Sequence, residues 1–226
     1  METHFQRELQ DLKEDLLKMA ALVEEAISTA VQSLVKRDSD RARKTFEGED
    51  RINKMEIEIE DKCLKLLALR QPMAADLRFI ASTMKITTDL ERMGDQAVNV
   101  AERSLSLNQE PQVKPYIDIP RMAEVTQSMV RDVLRAFVNG DSALARSVCA
   151  RDDVVDGLND QVFRELLTYM MSDPKTITRA VHLMIICRCL ERIADHATNI
   201  GEDVIFMVDG RVIKHHAEDK DGNLPA

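Results

Sequence analysis

Glu91, Asp95, Asn99 and Glu102 stand at i, i+4, i+8 and i+11, and Glu191, Asp195, Asn199 and Glu202 repeat that spacing 100 positions later. On an α-helix these intervals put four oxygen-bearing side chains on one stripe. Like charges at i,i+4 cost an isolated helix about 0.2–0.5 kcal/mol per pair, so the stripe needs compensation. Arg92, Arg192 and Arg188 stand three residues before Asp95, Asp195 and Glu191 and offer some of it. Glu91 and Glu102 have no Lys or Arg three or four positions away.

A second acidic row precedes each stripe: Glu49, Asn53, Glu56 and Glu60 in the first half, Asp152, Asp156 and Asn159 in the second. If antiparallel packing sets these rows opposite the stripes, each half holds a cluster of carboxylates, which needs protons or cations. Oxygen-only ligands suit hard ions such as magnesium, calcium, manganese or ferric iron. The candidate metal ligands are Glu49, Glu91, Asp95 and Glu102, then Asp152, Asp156, Glu191, Asp195 and Glu202. A row of acids on one helix is most often a solvated face. The duplication of the whole stripe, amides included, argues for more. Neither Glu91 nor Glu191 has a histidine at i+3, so the Glu-x-x-His di-iron pattern is absent. His196 has Gln96 as its counterpart and reads as a surface histidine.

The elements that carry these rows are helical. Leu9, Leu12, Leu16, Met19, Val23, Ala26 and Ala30 step by three and four, a heptad seam. With only 7 glycines and 6 prolines, the chain has few turn points and long elements. The spacing predicts helices over 5–36, 41–69, 73–107, 121–138, 142–171 and 174–208, the last opened by the pair Asp173-Pro174. Three of the prolines fall in 108–120, the one clear linker. The chain thus divides into a first three-helix repeat (1–107), the linker, a second three-helix repeat (121–208) and a polar tail (209–226). DLERMGDQAVNVAER from Asp89 aligns with CLERIADHATNIGED from Cys189, so two tandem three-helix bundles related by an internal pseudo-twofold are expected. Gly94 with Ala194, and Ala101 with Gly201, keep the third helix of each half slim, a sign of close packing.

A formal charge of −9 and the lack of a basic block argue against nucleic acid as a partner. No apolar run is long enough to span a membrane, and the charged start METHFQRELQ has no signal-peptide core, so a cytoplasmic protein is expected. Cys63, Cys149, Cys187 and Cys189 have no zinc-like spacing and read as reduced, mostly buried thiols. No general base, nucleophile or phosphate-cradling glycine loop accompanies the acids, so no catalytic residue is expected. A metal-dependent hydrolase and a plain helical scaffold without metal remain the rival readings.

The paired stretches LERMGDQAVNVAE and LERIADHATNIGE, with RQPMAADLR (70–78) and LLTYMMSDPKTI (166–177), resemble the PhoU family over nearly the whole chain. The resemblance implies two three-helix bundles and metal clusters, variously iron, zinc, magnesium or manganese, on the acidic rows. Glu91 and Asp95 match the first row and Glu191 and Asp195 the second, with Glu49, Asp152 and Asp156 in support. Ala194 stands where the family often has glycine, and Asn53 and Asn159 give neutral oxygens where an acid would bind more tightly. The resemblance further implies a negative regulator of phosphate uptake and of the phosphate-starvation response. Such a protein is an adaptor without catalysis, often dimeric, between the ATPase subunit of the phosphate ABC transporter and a sensor histidine kinase. It meets the membrane only through those partners.

Overall fold

A computed structural model describes residues 4–213; the expected tail, from residue 214 on, lies outside the described residues. In chain order come α1 (His4–Val35), α2 (Ser39–Arg70), α3 (Ala74–Asn108), α4 (Asp118–Asn139), α5 (Ser142–Cys149), α6 (Asp152–Ser172) and α7 (Ile177–Asp209), with a 3-10 turn at Pro174–Thr176 before α7. Among the described residues there is no strand, and no helix is long and apolar enough to cross a membrane. The fold is all-α: two three-helix bundles related by an internal pseudo-twofold, with α5 and α6 together filling the place that α2 fills in the first.

Side chains dictate these elements locally. Leu12, Leu16, Met19, Val23, Ala26 and Ala30 form the buried face of α1. Asp38 opens α2 by accepting from the amides of Asp40 and Arg41, which have no partner inside the helix. Asp141 does the same for α5 through Leu144. Gly140 ends α4 at φ 62°, a left-handed conformation that glycine adopts without strain.

The bundles meet along their third helices. Arg78 donates to the carbonyl of Met207 (3.2 Å), Lys85 pairs with Asp203 (3.0 Å), and Asp89 meets His196 Nδ1 (2.8 Å). Residue numbers rise along α3 as they fall along α7, so the two are antiparallel. Met93 and Ile193, counterparts in the repeat, are both fully buried.

Two expectations need correction. The helix anticipated over 142–171 is broken at Ala150 and Arg151. No glycine or proline marks the break. Its cause is tertiary: α5 lies so close to α7 that a Cβ on Gly201 would stand 2.9 Å from Cys149 Sγ and 3.3 Å from the Ala145 carbonyl. Arg151 is held to α4 by Asp132 (2.8 Å) and Ser128 (3.2 Å). The backbone tightens there to i→i−3 bonds, Arg151 to Val148 and Val154 to Arg151. At Asp173-Pro174, the Asp173 carboxylate accepts from Lys175, but it opens the 3-10 turn, and α7 starts only at Ile177.

The two slim positions differ in what surrounds them. A Cβ at Gly94 would meet the flexible end of Ile52 at 3.1 Å, whereas one at Gly201 meets a sulfur and a backbone oxygen. Gly94→Ala is therefore expected to be near neutral in urea unfolding, as about 1 kcal/mol of helix propensity offsets a small shift of Ile52. Gly201→Ala should lower stability by about 1–3 kcal/mol, with part regained when Cys149→Ala is added.

Candidate metal centre

α2 and α3 run antiparallel, so the acidic rows of the first half face one another. Asp95, Asp50 and Glu102 act on Glu49, while Glu60 and Asp95 act on Glu56. Glu91 feels Asp95, Glu56 and Glu49. In each of these three carboxyls burial first, and the neighbouring negative charges second, push the group above the ordinary carboxylate range.

The second half repeats the arrangement between α6 and α7. Burial and the charges of Asp195, Asp156, Asp153 and Glu191 push Asp152 up to about 6. Asp156 is raised by burial and by Asp195, and Glu191 by burial and Asp195, opposed by Arg188. Glu202 lies within electrostatic reach of Cys149, beside Gly201.

Several buried oxygens here make no hydrogen bond: Asn53 Oδ1 in the first cluster, Asp152 Oδ1 and Glu191 Oε2 in the second. Buried acceptors are normally paired. Arg188 takes the other oxygen of Glu191, as its spacing predicts. Arg92 and Arg192 form no ion pair with Asp95 or Asp195, so the expected help from i−3 arginines holds for Glu191 alone. An oxygen-rich neighbourhood with raised carboxyls and orphaned acceptors fits a hard cation. Among the described residues, however, no three His, Cys, Asp or Glu side chains converge closely enough to enclose one. Asp195, Asp156 and Glu102 are exposed, and Glu91, Asp95, Glu49, Asp152 and Glu202 are half-buried.

The amides of the stripe are engaged elsewhere. Asn99 donates back to the Asp95 carbonyl (3.1 Å), while Asn199 reaches Asp89 on α3 (3.4 Å). His196 is not a surface histidine. Its Nδ1 stands 2.8 Å from Asp89 Oδ1, with 15 and 12 per cent of the two side chains exposed. The α3–α7 seam half-buries it, and the stripe's spacing gave no hint of that. A signal was present in the repeat: Asp89 becomes Cys189 where His196 becomes Gln96, two changes that accompany one another because the residues touch across the seam.

Comparison with known proteins gives the same architecture a family. The model of the PhoU domain matches twice, over residues 16–104 and 119–204. A phosphate-specific transport system accessory protein PhoU homolog of Aquifex aeolicus is 45% identical over 215 residues, 95% of this chain and 97% of that protein. The Pseudomonas aeruginosa protein of the same description is 42% identical over 93% of this chain and 88% of its own. The crystal structure of PhoU from P. aeruginosa superposes with a TM-score of 0.89, covering 92% of this chain and all of that one. That of the phosphate transport system regulatory protein PhoU from Streptococcus pneumoniae, 30% identical, gives 0.86 over 93% of this chain. The chain belongs to the PhoU family.

The raised carboxyls set a pH dependence. A carboxyl whose folded pKa exceeds its unfolded value holds more protons in the folded state, so stability falls as pH rises from the unfolded value to the folded one. For Asp152 that window runs from 3.8 to about 6. In chelator-treated protein, Asp152→Asn should therefore flatten the loss of melting temperature across this window. At pH 7 it should raise stability by about 1 kcal/mol, a figure reduced for the solvent screening of a half-buried side chain. Scanning calorimetry at closely spaced pH values reads both effects.

Proposed function

We propose that this chain is a metal-binding, non-enzymatic regulator of phosphate transport. Relatives 45% and 42% identical over almost their whole length are phosphate-specific transport system accessory proteins, and that similarity carries the reading. In this reading the chain restrains phosphate uptake and the phosphate-starvation response. It sits in the cytoplasm as a homodimeric adaptor between the ATPase subunit of the phosphate ABC transporter and a sensor histidine kinase.

The acidic rows supply its metal-dependent part. Glu49, Glu91, Asp95 and Glu102 would hold a cation in the first half, and Asp152, Asp156, Glu191, Asp195 and Glu202 in the second. Asn53 Oδ1, Asp152 Oδ1 and Glu191 Oε2, buried and without hydrogen-bond partners, support this assignment. A bound divalent or trivalent ion (magnesium, manganese, iron or zinc) supplies positive charge that cancels the repulsion between rows. The side chains themselves do the rest. Carboxylates on α2 and α6 turn toward α3 and α7 by rotation about side-chain bonds, and this fixes the distance between the helices of each bundle. A partner then meets a surface of set shape and reduced negative charge. The rival hydrolase reading needs an activated nucleophile beside the rows, and the thiols that lie there are held protonated: burial pushes Cys149, near Glu202 and Asp152, up to about 11 and Cys63, near Glu60, up to about 12.

Two measurements test this. Chelator-stripped protein at pH 7.5 should melt at lower temperature than protein given manganese or magnesium; an ion at a hundred times its Kd adds about 2.7 kcal/mol. Glu91→Gln with Asp195→Asn should abolish that gain, and coincident melting curves with and without metal would remove the cation from the proposal. Tagged chain should co-purify with the transporter ATPase subunit, and its failure to do so in phosphate-replete cells would count against the adaptor role.

A further inference from the structure

The α3–α7 seam ends in two places, one at each tip of the pseudo-twofold body, and the tips differ in charge. At one, Lys85 pairs with Asp203 at 3.0 Å, the carboxylate side chain only 4 per cent exposed, and the Ser82 hydroxyl donates to the Asp203 carbonyl. The counterparts 100 positions away are Ile185, Arg103 and His182. The acid has become an arginine, and a histidine stands where the serine was. Arg103 on α3 acts on His182 on α7, and neither makes an ion pair among the described residues. Arg103 Nε and His182 Nδ1 are buried without a hydrogen-bond partner among the described residues. Burial first, and Arg103 second, hold His182 below the ordinary imidazole range. One tip is thus neutralised from within, and the other has basic groups facing basic groups.

A cleft opens at that second tip, between the end of α3 and the start of α7, with a volume of about 450 Å3. Lys175, Arg179 and His182 line it, with Ser106 and Thr178, and Glu110 is the one carboxylate among its walls. Glu110 is exposed. Arg179 is oriented in advance: its guanidinium donates to the carbonyls of Pro111 (2.8 Å) and Lys175 (3.3 Å), leaving other N–H groups of its five free for a ligand.

We propose that this cleft binds a phosphate-type dianion, either free or carried on a small molecule. His182 Nδ1, a buried nitrogen without a partner in the cleft wall, is costly to leave unsatisfied, and an anion seated beside Lys175, Arg179 and a protonated His182 removes that cost. Several donors around one space match a group with three or four acceptor oxygens better than they match a single carboxylate. The volume falls within the range of small-molecule sites, about 300–1,000 Å3, so it admits a phosphate with a substituent attached. None of the residues of the acidic rows lines the cleft, so the inference stands independently of the metal reading.

The test uses the full chain after chelator treatment, which removes any metal-bridged phosphate. The His182 ring signals are followed by NMR during titration with inorganic phosphate, with adenosine monophosphate, and with sodium chloride at matched ionic strength. Saturable perturbation of His182 with phosphate or the nucleotide, together with a rise in its titration midpoint, is the expected result. If phosphate alone suffices, the ligand is the free ion; if only the nucleotide saturates, the dianion is carried. Lys175→Ala and Arg179→Gln should each weaken that binding at least tenfold while leaving the His196 signals in place. Among the described residues the Lys175 side chain makes no tertiary hydrogen bond or ion pair, so this first variant leaves the fold intact. A perturbation that chloride reproduces, that does not saturate, or that survives both substitutions would overturn the proposal.

Discussion

The antiparallel contact of α3 with α7 is the constraint on which the rest of the molecule depends. Each of these helices is the third of its own bundle, and each carries the acidic stripe on one side and the seam on another. Packing the seam fixes which way the stripe looks. It leaves Glu91 and Asp95 facing α2, and Glu191 and Asp195 facing α6. The seam is not purely apolar. Asp89 with His196 and Lys85 with Asp203 are specific pairs that tolerate one register only, whereas an apolar surface alone accepts a one-turn slip more readily. Shifting α7 by a turn would part both pairs and leave the buried Asp203 carboxylate without Lys85.

That fixed register sets up a conflict between charges. Two rows of carboxylates held a helix apart cannot relax by moving away, because the apolar faces of the same helices are buried elsewhere. The molecule meets the conflict unequally. In the second half Arg188 takes one oxygen of Glu191, and Asp152 carries the largest upward displacement, to about 6. In the first half the load is spread over Glu49, Glu56 and Glu91, with Arg92 acting at longer range. Two clusters related by the repeat therefore differ in how their charge is relieved, the second by an arginine on one carboxylate and the first by none in direct contact.

Much of this could be read from the amino-acid sequence because it is written in local intervals. The step of three and four from Leu12 to Ala30 and the spacing of Glu91, Asp95 and Glu102 each depend on one helix alone. The opposition of Glu49 and Glu56 to Asp95 followed from a single assumption about antiparallel neighbours. What escaped was whatever one segment does to another. The break at Ala150 and Arg151 comes from Gly201 and from Asp132, about fifty and nineteen residues away, and nothing between Ser142 and Met171 announces it. The burial of His196 depends on Asp89, which belongs to the other bundle. Asn199, counted with the stripe by its spacing, serves the seam instead.

The pairing of α3 with α7 has a consequence for the origin of the chain. A single three-helix half, joined to its own copy by the third helix, would rebuild the same body with a true twofold axis through the residue now represented by Met93 and Ile193. Such a homodimer is obliged to place every seam contact twice. Joining the copies by the linker after Asn108 lifts that obligation, and the residues record its use. One side of the axis holds Asp89 against His196, where the mirror positions hold Cys189 and Gln96. Two copies held in one chain can thus give the seam a distinguishable left and right, which two identical chains cannot.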